Sequence, residues 1–166
     1  MRATLHIQLR GHAGQVLAER RATNAVMRTG GELIARLFAG KGSPITHMGV
    51  GTSDDSEPAD FSMTALTNEV VEGVPQLAGD DKVPLQPDQF HIVPDQERQR
   101  FTVKVRGTLP NEAAVGTVRE AGLFSEENGS FVLYNRVTFA PIEKADDHEL
   151  TLFWEVSFPY GDLHWF

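Results

Sequence analysis

Leu5, Ile7 and Leu9 alternate with His6, Gln8 and Arg10, the two-residue period of a strand with one buried face. Gly11 to Gly14 reads as a turn, and Val16-Leu17-Ala18 opens a returning strand to about Arg21, so residues 1–22 predict a β-hairpin. The period then changes. Val26, Gly30, Leu33, Ile34, Leu37 and Phe38 fall at helical spacing and predict one amphipathic helix over residues 23–40. Thr23 or Asn24 would cap it, and Gly40, Gly42 and Pro44 would stop it. Adjacent glycines cost about 1 kcal/mol each inside a helix. Thr29-Gly30-Gly31-Glu32 is a capping-box pattern, so a start at Gly30 is the shorter alternative. The longer helix is expected, with a close backbone contact at the glycines.

Ile45 to Val50 predicts a strand, followed by a polar, acidic loop from Gly51 to Asp60. Met63 to Asn68 reads as one helical turn and Glu69 to Val74 as extended chain. Residues 75–87 are rich in Pro, Gly and Asp and predict a long loop, the least ordered stretch of the chain. The second half is strand-rich. Phe101, Val103 and Val105 alternate with Thr102, Lys104 and Arg106, and Leu150, Leu152, Trp154, Val156 and Phe158 form the longest alternating face. Between the runs 118–124 and 131–139 stands Glu127-Asn128-Gly129-Ser130, whose Asn-Gly pair is a hairpin turn signal. The expected fold is mainly β: a single domain, residues 1–166, built as an antiparallel β-sandwich over 45–158. One early amphipathic helix packs on it, with an N-terminal hairpin and an aromatic C-terminal segment over 159–166.

Composition narrows the function. The net charge is -8, with 23 acidic against 15 basic residues, and Arg20-Arg21 is the densest basic spot. That balance disfavours nucleic acid, whose binding needs a positive field to displace counterions. There is no cysteine, which removes disulfides and thiolate metal sites. No apolar run approaches the roughly 18 residues of a membrane-spanning helix, and no signal-peptide core opens the chain, so a soluble product made in the cytoplasm is expected.

Reactive chemistry is sparse. His6, His12, His47, His91, His148 and His164 are scattered without metal-ligand spacing, so surface positions and no metal are expected. Asp54-Asp55-Ser56-Glu57-Pro58-Ala59-Asp60 matches no calcium loop and reads as a solvated loop. Gly49-Val50-Gly51-Thr52 lacks the third glycine and the lysine of a phosphate-cradling loop, and acidic residues follow it. No Gly-x-Ser-x-Gly elbow exists. Glu126-Glu127 and Asp146-Asp147 sit in turn-like contexts. Glu120, inside an apolar run beside Arg119, is expected to face outward from its strand, with a buried, paired carboxylate as the alternative. Asn128-Gly129-Ser130 fits a glycosylation sequon but is read as a turn. No cofactor and no catalytic residue is expected. Phe158 to Phe166 carries four aromatics in nine residues. Tyr160, Leu163, Trp165 and Phe166 are therefore candidate contacts to a neighbouring subunit, the alternative being a last strand packed on its own domain.

Several segments in a fixed order carry a resemblance. Glu32-Leu33-Ile34-Ala35-Arg36-Leu37-Phe38-Ala39-Gly40 ends the helix, and Ile45-Thr46-His47-Met48-Gly49-Val50-Gly51-Thr52 follows. Then come Thr64-Ala65-Leu66-Thr67-Asn68-Glu69-Val70, Arg119-Glu120-Ala121-Gly122-Leu123-Phe124 and Leu133-Tyr134-Asn135-Arg136-Val137-Thr138-Phe139. Pro141-Ile142-Glu143-Lys144 and the strand from Glu149 to Phe158 close the unit. Together, over residues 24–158, they resemble small tail and baseplate proteins of bacteriophages and phage-like injection machines, including tail-fibre N-terminal and adaptor-like modules. The resemblance implies a non-enzymatic virion structural protein, synthesised in the host cytoplasm and placed in the tail. It would act as a baseplate, collar or fibre-adaptor component rather than a complete fibre, because no heptad run, collagen-like repeat or shaft follows. The implied partners are other tail or baseplate proteins and further copies of the chain, as a trimer or hexamer in a ring. The N-terminal hairpin, the 75–87 loop and the aromatic C-terminal segment are the expected contacts. The alternative is a stand-alone β-sandwich that binds carbohydrate or a receptor, with Trp154, Tyr134 or Trp165 as stacking faces.

Overall fold

Both alternating periods and the single helical one have counterparts in the folded chain. In the computed structural model, which describes residues 2–70 and 73–161, the order is β1 (Arg2–Arg10), β2 (Val16–Thr23), β3 (Ala25–Val26), α1 (Arg28–Phe38), β4 (His47–Gly51), β5 (Lys82–Pro84), β6 (Phe90–Asp95), β7 (Arg100–Leu109), β8 (Gly116–Glu127), β9 (Ser130–Lys144) and β10 (Glu149–Pro159). Two antiparallel five-stranded sheets result, ordered β2-β1-β10-β7-β6 and β3-β9-β8-β4-β5. The fold is mainly β, a sandwich with one helix, as the sequence predicts.

The register explains the core. Leu5 lies opposite Trp154, Ile7 opposite Leu152 and Leu9 opposite Leu150, while Val105 and Leu109 flank β10 on its other side. A side-chain period of two puts all of these on one face. There they meet Met48, Val50, Leu123 and Val137 of the second sheet in one buried cluster. Arg20, on edge strand β2, ties the sheets together: its Nε donates to the Ala140 carbonyl (3.0 Å) and its Nη2 to that of Pro141 (2.9 Å). The β8–β9 hairpin turns at Asn128 and Gly129, with φ of 52° and 79°, the two positive values that an Asn-Gly turn provides.

The helix differs from its expected bounds. Val26 belongs to β3, where it pairs with Asn135. Thr23 lies in β2, and the Asn24 side-chain oxygen accepts from the Ala3 N–H (3.1 Å), so it caps the hairpin and not the helix. Helix α1 starts after Met27 with no side-chain cap. Both Gly30 and Gly31 lie within it. A Cβ on Gly30 would land on the Tyr134 carbonyl oxygen, which is the close backbone contact expected, whereas Gly31 faces open space. Leu33 is buried, but Phe38, assigned to the stripe by spacing, is 96% exposed at the helix end.

Two other expectations change. Residues 63–68 form no helical turn; Met63 and Leu66 pack instead on Met27, Phe124 and Leu133, on the outer side of the second sheet. Residues 75–87 are irregular but fastened: Leu77 and Leu85 are buried, Ala78 bridges Val115, and β5 pairs with β4. Two leucines anchor what Pro, Gly and Asp keep from regular structure.

Two outcomes follow for urea unfolding. Gly31→Ala is expected to stabilise the chain by up to about 1 kcal/mol, whereas Gly30→Ala, forced against a backbone carbonyl, destabilises it by roughly 1–3 kcal/mol. Lys144, nearly fully buried, donates from Nζ to the Pro110 and Asn111 carbonyls (both 2.9 Å). Burial pulls its ammonium from 10.5 down to about 8. Between those values the unfolded chain binds more protons than the folded one, so stability rises with pH across this window. Measured at stepped pH, the wild type is expected to gain on a Lys144→Met variant from pH 8 to 10.5.

Candidate functional site

Four of the segments that carry the resemblance meet at one buried charge pair. Glu120 on β8 and Arg136 on β9 are both fully buried, with Arg136 Nε donating to Glu120 Oε2 at 2.6 Å. The outward position expected for Glu120 is thus corrected: it does leave the core side of its sheet, but the 52–69 segment covers it. The Thr67 N–H donates to Glu120 Oε1 (2.6 Å), and Thr67 in turn accepts from the Thr52 N–H (2.8 Å). Arg136 uses its remaining donors on the loop after β4: Nη1 donates to the Asp55 carbonyl (2.6 Å) and Glu57 Oε1 (3.0 Å), and Nη2 to the Ser53 carbonyl (3.4 Å). Residues 53–57 are therefore a held loop, not a freely solvated one. A side chain at Gly51 would collide with the Glu120 carboxylate, and one at Gly122 with the Asn135 carbonyl. The glycines of both motifs make room for the knot.

Burial pushes the Glu120 carboxyl up, opposed by the Arg136 guanidinium and the Thr67 N–H. No solvent reaches either partner, so the pair positions loops and has no access to a substrate. Its cause lies in the β8–β9 register. From the Asn-Gly turn the ladder counts evenly to Phe124 opposite Leu133, and then Leu123 faces Asn135. Tyr134 is the extra residue of a β-bulge. That shift places Arg136 opposite Gly122, on the same face as Glu120 two residues along. The freed Tyr134 carbonyl accepts from the Met27 N–H (3.0 Å) at the start of α1.

The second feature is an open apolar cleft of about 790 Å³ between the sheets, below α1. Ile34 and Leu37 of α1 form one wall, Phe90 and Ile92 of β6 and Val156 and Phe158 of β10 another, and Ile45 and Leu85 the floor. Only Thr46 and Tyr134 bring polar side-chain groups to it. Burial pushes the Tyr134 phenol up to about 12, so it stays neutral. The rim loop before β4 is pinned by Glu127, which accepts from Arg36 Nη1 (2.8 Å) and the Ser43 N–H (3.3 Å). The Arg36 guanidinium, together with that N–H, holds this carboxyl below the usual carboxylate range. Such a lining suits an apolar occupant.

Of the predicted contact residues, Tyr160 is 40% exposed; its N–H donates to the Gln99 carbonyl (2.8 Å) and its ring sits 5.5 Å from that of Phe101. Leu163, Trp165 and Phe166 lie outside the described residues, as does His164. Trp154 and Tyr134, named as stacking faces for a sugar, are 1% and 2% exposed and offer none. Among the described residues no His, Asp and Glu cluster of three or more could hold a metal ion, and no helix is long and apolar enough to cross a membrane. The 75–87 stretch is held against the rest of the chain by buried Leu77 and Leu85.

Removing one partner of the buried pair strands the other charge. Glu120→Gln is expected to cost about 3–5 kcal/mol, and Glu57→Gln, at the partly exposed end of the network, about 1 kcal/mol or less; chemical denaturation of both variants checks this ranking. No protein-family model, no curated protein and no solved structure matches this chain.

Proposed function

We propose that this chain is a structural component of a phage tail or phage-like injection machine, serving as a baseplate, collar or fibre-adaptor unit through protein–protein contacts. One observation carries the reading. Gly51-Thr52, Thr67, Glu120 and Arg136 come from four separate segments that resemble tail proteins, and they converge on a single knot. The resemblance therefore attaches to one folded unit rather than to scattered words.

The surface offers several apolar contacts outside the core. Val16 and Leu17 are roughly half exposed on the N-terminal hairpin, Phe38 stands free at the end of α1, and Tyr160 closes the first sheet. The hairpin and the helix end are different surfaces, so pairing them between copies is a heterologous contact, the kind that builds a ring of three or six where its rotation closes. The exposed side chains of Asp54 and Asp55 in the held loop, with a net charge of -8, set the sign of the partner's rim.

The test uses the purified chain alone and mixed with the products of the genes that flank its own, by sedimentation velocity and negative-stain electron microscopy. Rings or stable complexes are expected, and a chain that stays monomeric in every mixture sinks the reading. Phe38→Asp is expected to weaken the complex roughly tenfold or more without moving the thermal midpoint.

A further inference from the structure

The two broad outer faces of the sandwich differ in charge. On the first sheet, parity turns Leu5, Trp154 and Val105 to the core and their neighbours His6, Phe153 and Arg106 to solvent. Arg21 stands opposite His6, so Arg21, His6, Phe153 and Arg106 form one row across four adjacent strands. With strands about 4.8 Å apart, the backbones of the two arginines are roughly 14 Å from each other. Phe153 is the spacer of the row. The His6 ring stacks on it at 5.6 Å and 26°, and the Arg106 guanidinium lies 5.5 Å from its centroid. A guanidinium held on a ring face keeps its N–H donors for an anion. Arg21 and Arg106 are exposed, and among the described residues neither guanidinium donates a hydrogen bond. The row contains no carboxylate. Those beside it are engaged: Glu19 accepts from Gln8 Nε2 (2.7 Å) and lies 3.3 Å from His6 Nε2, and Glu155 lies 3.5 Å from Lys104 Nζ.

The opposite face is acidic. Residues 52–69 cover the outer side of the second sheet and hold Asp54, Asp55, Glu57, Asp60 and Glu69 with no Lys or Arg. Glu57 is engaged by Arg136, and Asp54 lies 3.6 Å from Arg119, but Asp54, Asp55, Asp60 and Glu69 are all exposed. Arg136 also holds the Asp55 carbonyl, which keeps these carboxylates in place. A chain with a net charge of -8 repels its own copies in most orientations. Laying the basic row of one on the acidic cover of another is the orientation in which the charges attract.

We infer that copies of this chain stack front to back, the row from Arg21 to Arg106 of one docking on the 53–60 cover of the next. Charge complementarity selects the occupant, and the two faces lie on opposite sides of the sandwich, so the contact is heterologous and repeats from copy to copy. It is continuous with the apolar surfaces described above. The hairpin that carries Arg21 also carries exposed Val16 and Leu17, and the acidic cover borders α1, where the Arg28 N–H donates to the Phe61 carbonyl (2.9 Å). The inference rests on the part of the proposed function in which copies assemble, and names the faces that meet.

Sedimentation velocity of the purified full chain tests it. Association is expected at low ionic strength and weakens in about 1 M salt, where charges are screened beyond about 3 Å. Arg21→Glu with Arg106→Glu is expected to weaken it roughly tenfold or more, and so is Asp54→Lys with Asp55→Lys. Mixed in equal amounts, these two variants are expected to associate again, because each reversed face then finds its match on the other chain. If a reversed variant fails to fold, Arg21→Gln with Arg106→Gln reads the same loss. A wild type that is monomeric at low salt, substitutions without effect, or a mixture that stays apart overturns the inference. A chain that is monomeric alone yet joins the products of flanking genes overturns this contact and leaves the tail-protein reading standing.

Discussion

One extra residue in a strand, Tyr134, organises the second sheet. Because side chains alternate every residue, a single insertion exchanges the faces of everything beyond it. Here it delivers Arg136 to the face that carries Glu120. The carbonyl it releases from the ladder receives the first turn of α1, and the closeness of that approach requires the side chain at position 30 to be absent. The helix and the charge knot are thus two consequences of one local irregularity. Neither a buried guanidinium nor an uncapped helix start is favourable by itself; Glu120 and the loop after β4 meet the first, and the Tyr134 carbonyl meets the second.

The knot has a clear energetic character. Taking two charges out of water costs several kcal/mol per ion, recovered only when geometry and further hydrogen bonds are good. Arg136 meets that condition with acceptors on β8 and on three residues of the loop after β4, so the charge that costs most to bury also fixes the longest irregular connection. An apolar pair of equal volume would pack but would leave the carbonyls of Ser53 and Asp55 without donors from the sheet. The pair specifies where the loop goes.

Much of this architecture is legible in the amino-acid order. The alternation of Leu5 to Leu9 and Leu150 to Phe158, and the Asn128-Gly129 turn, foretell two of the central strands and a hairpin, because their signals are local. What escapes is long-range. Glu120 reads as outward-facing because parity shows a side of the strand and not what covers it; the cover comes from residues far away in sequence. The helix start escapes because Asn24, a good cap by type, is engaged by Ala3. The 75–87 stretch reads as loose because turn-forming residues outnumber Leu77 and Leu85, although two buried leucines suffice to hold it. The cleft has no sequence signature at all, since it arises from two sheets that overlap incompletely.

The pairing of β1 with β10 has a consequence for how the chain is born. On a ribosome the first strand emerges with β2 beside it, but its other edge has no companion until Glu149 to Pro159 has been made. All the residues between these two strands must be synthesised before the centre of that sheet exists, so folding is expected to be slow. Throughout that interval the edge of the strand is bare, and a charged residue such as Arg10 beside its leucines disfavours pairing with the wrong chain.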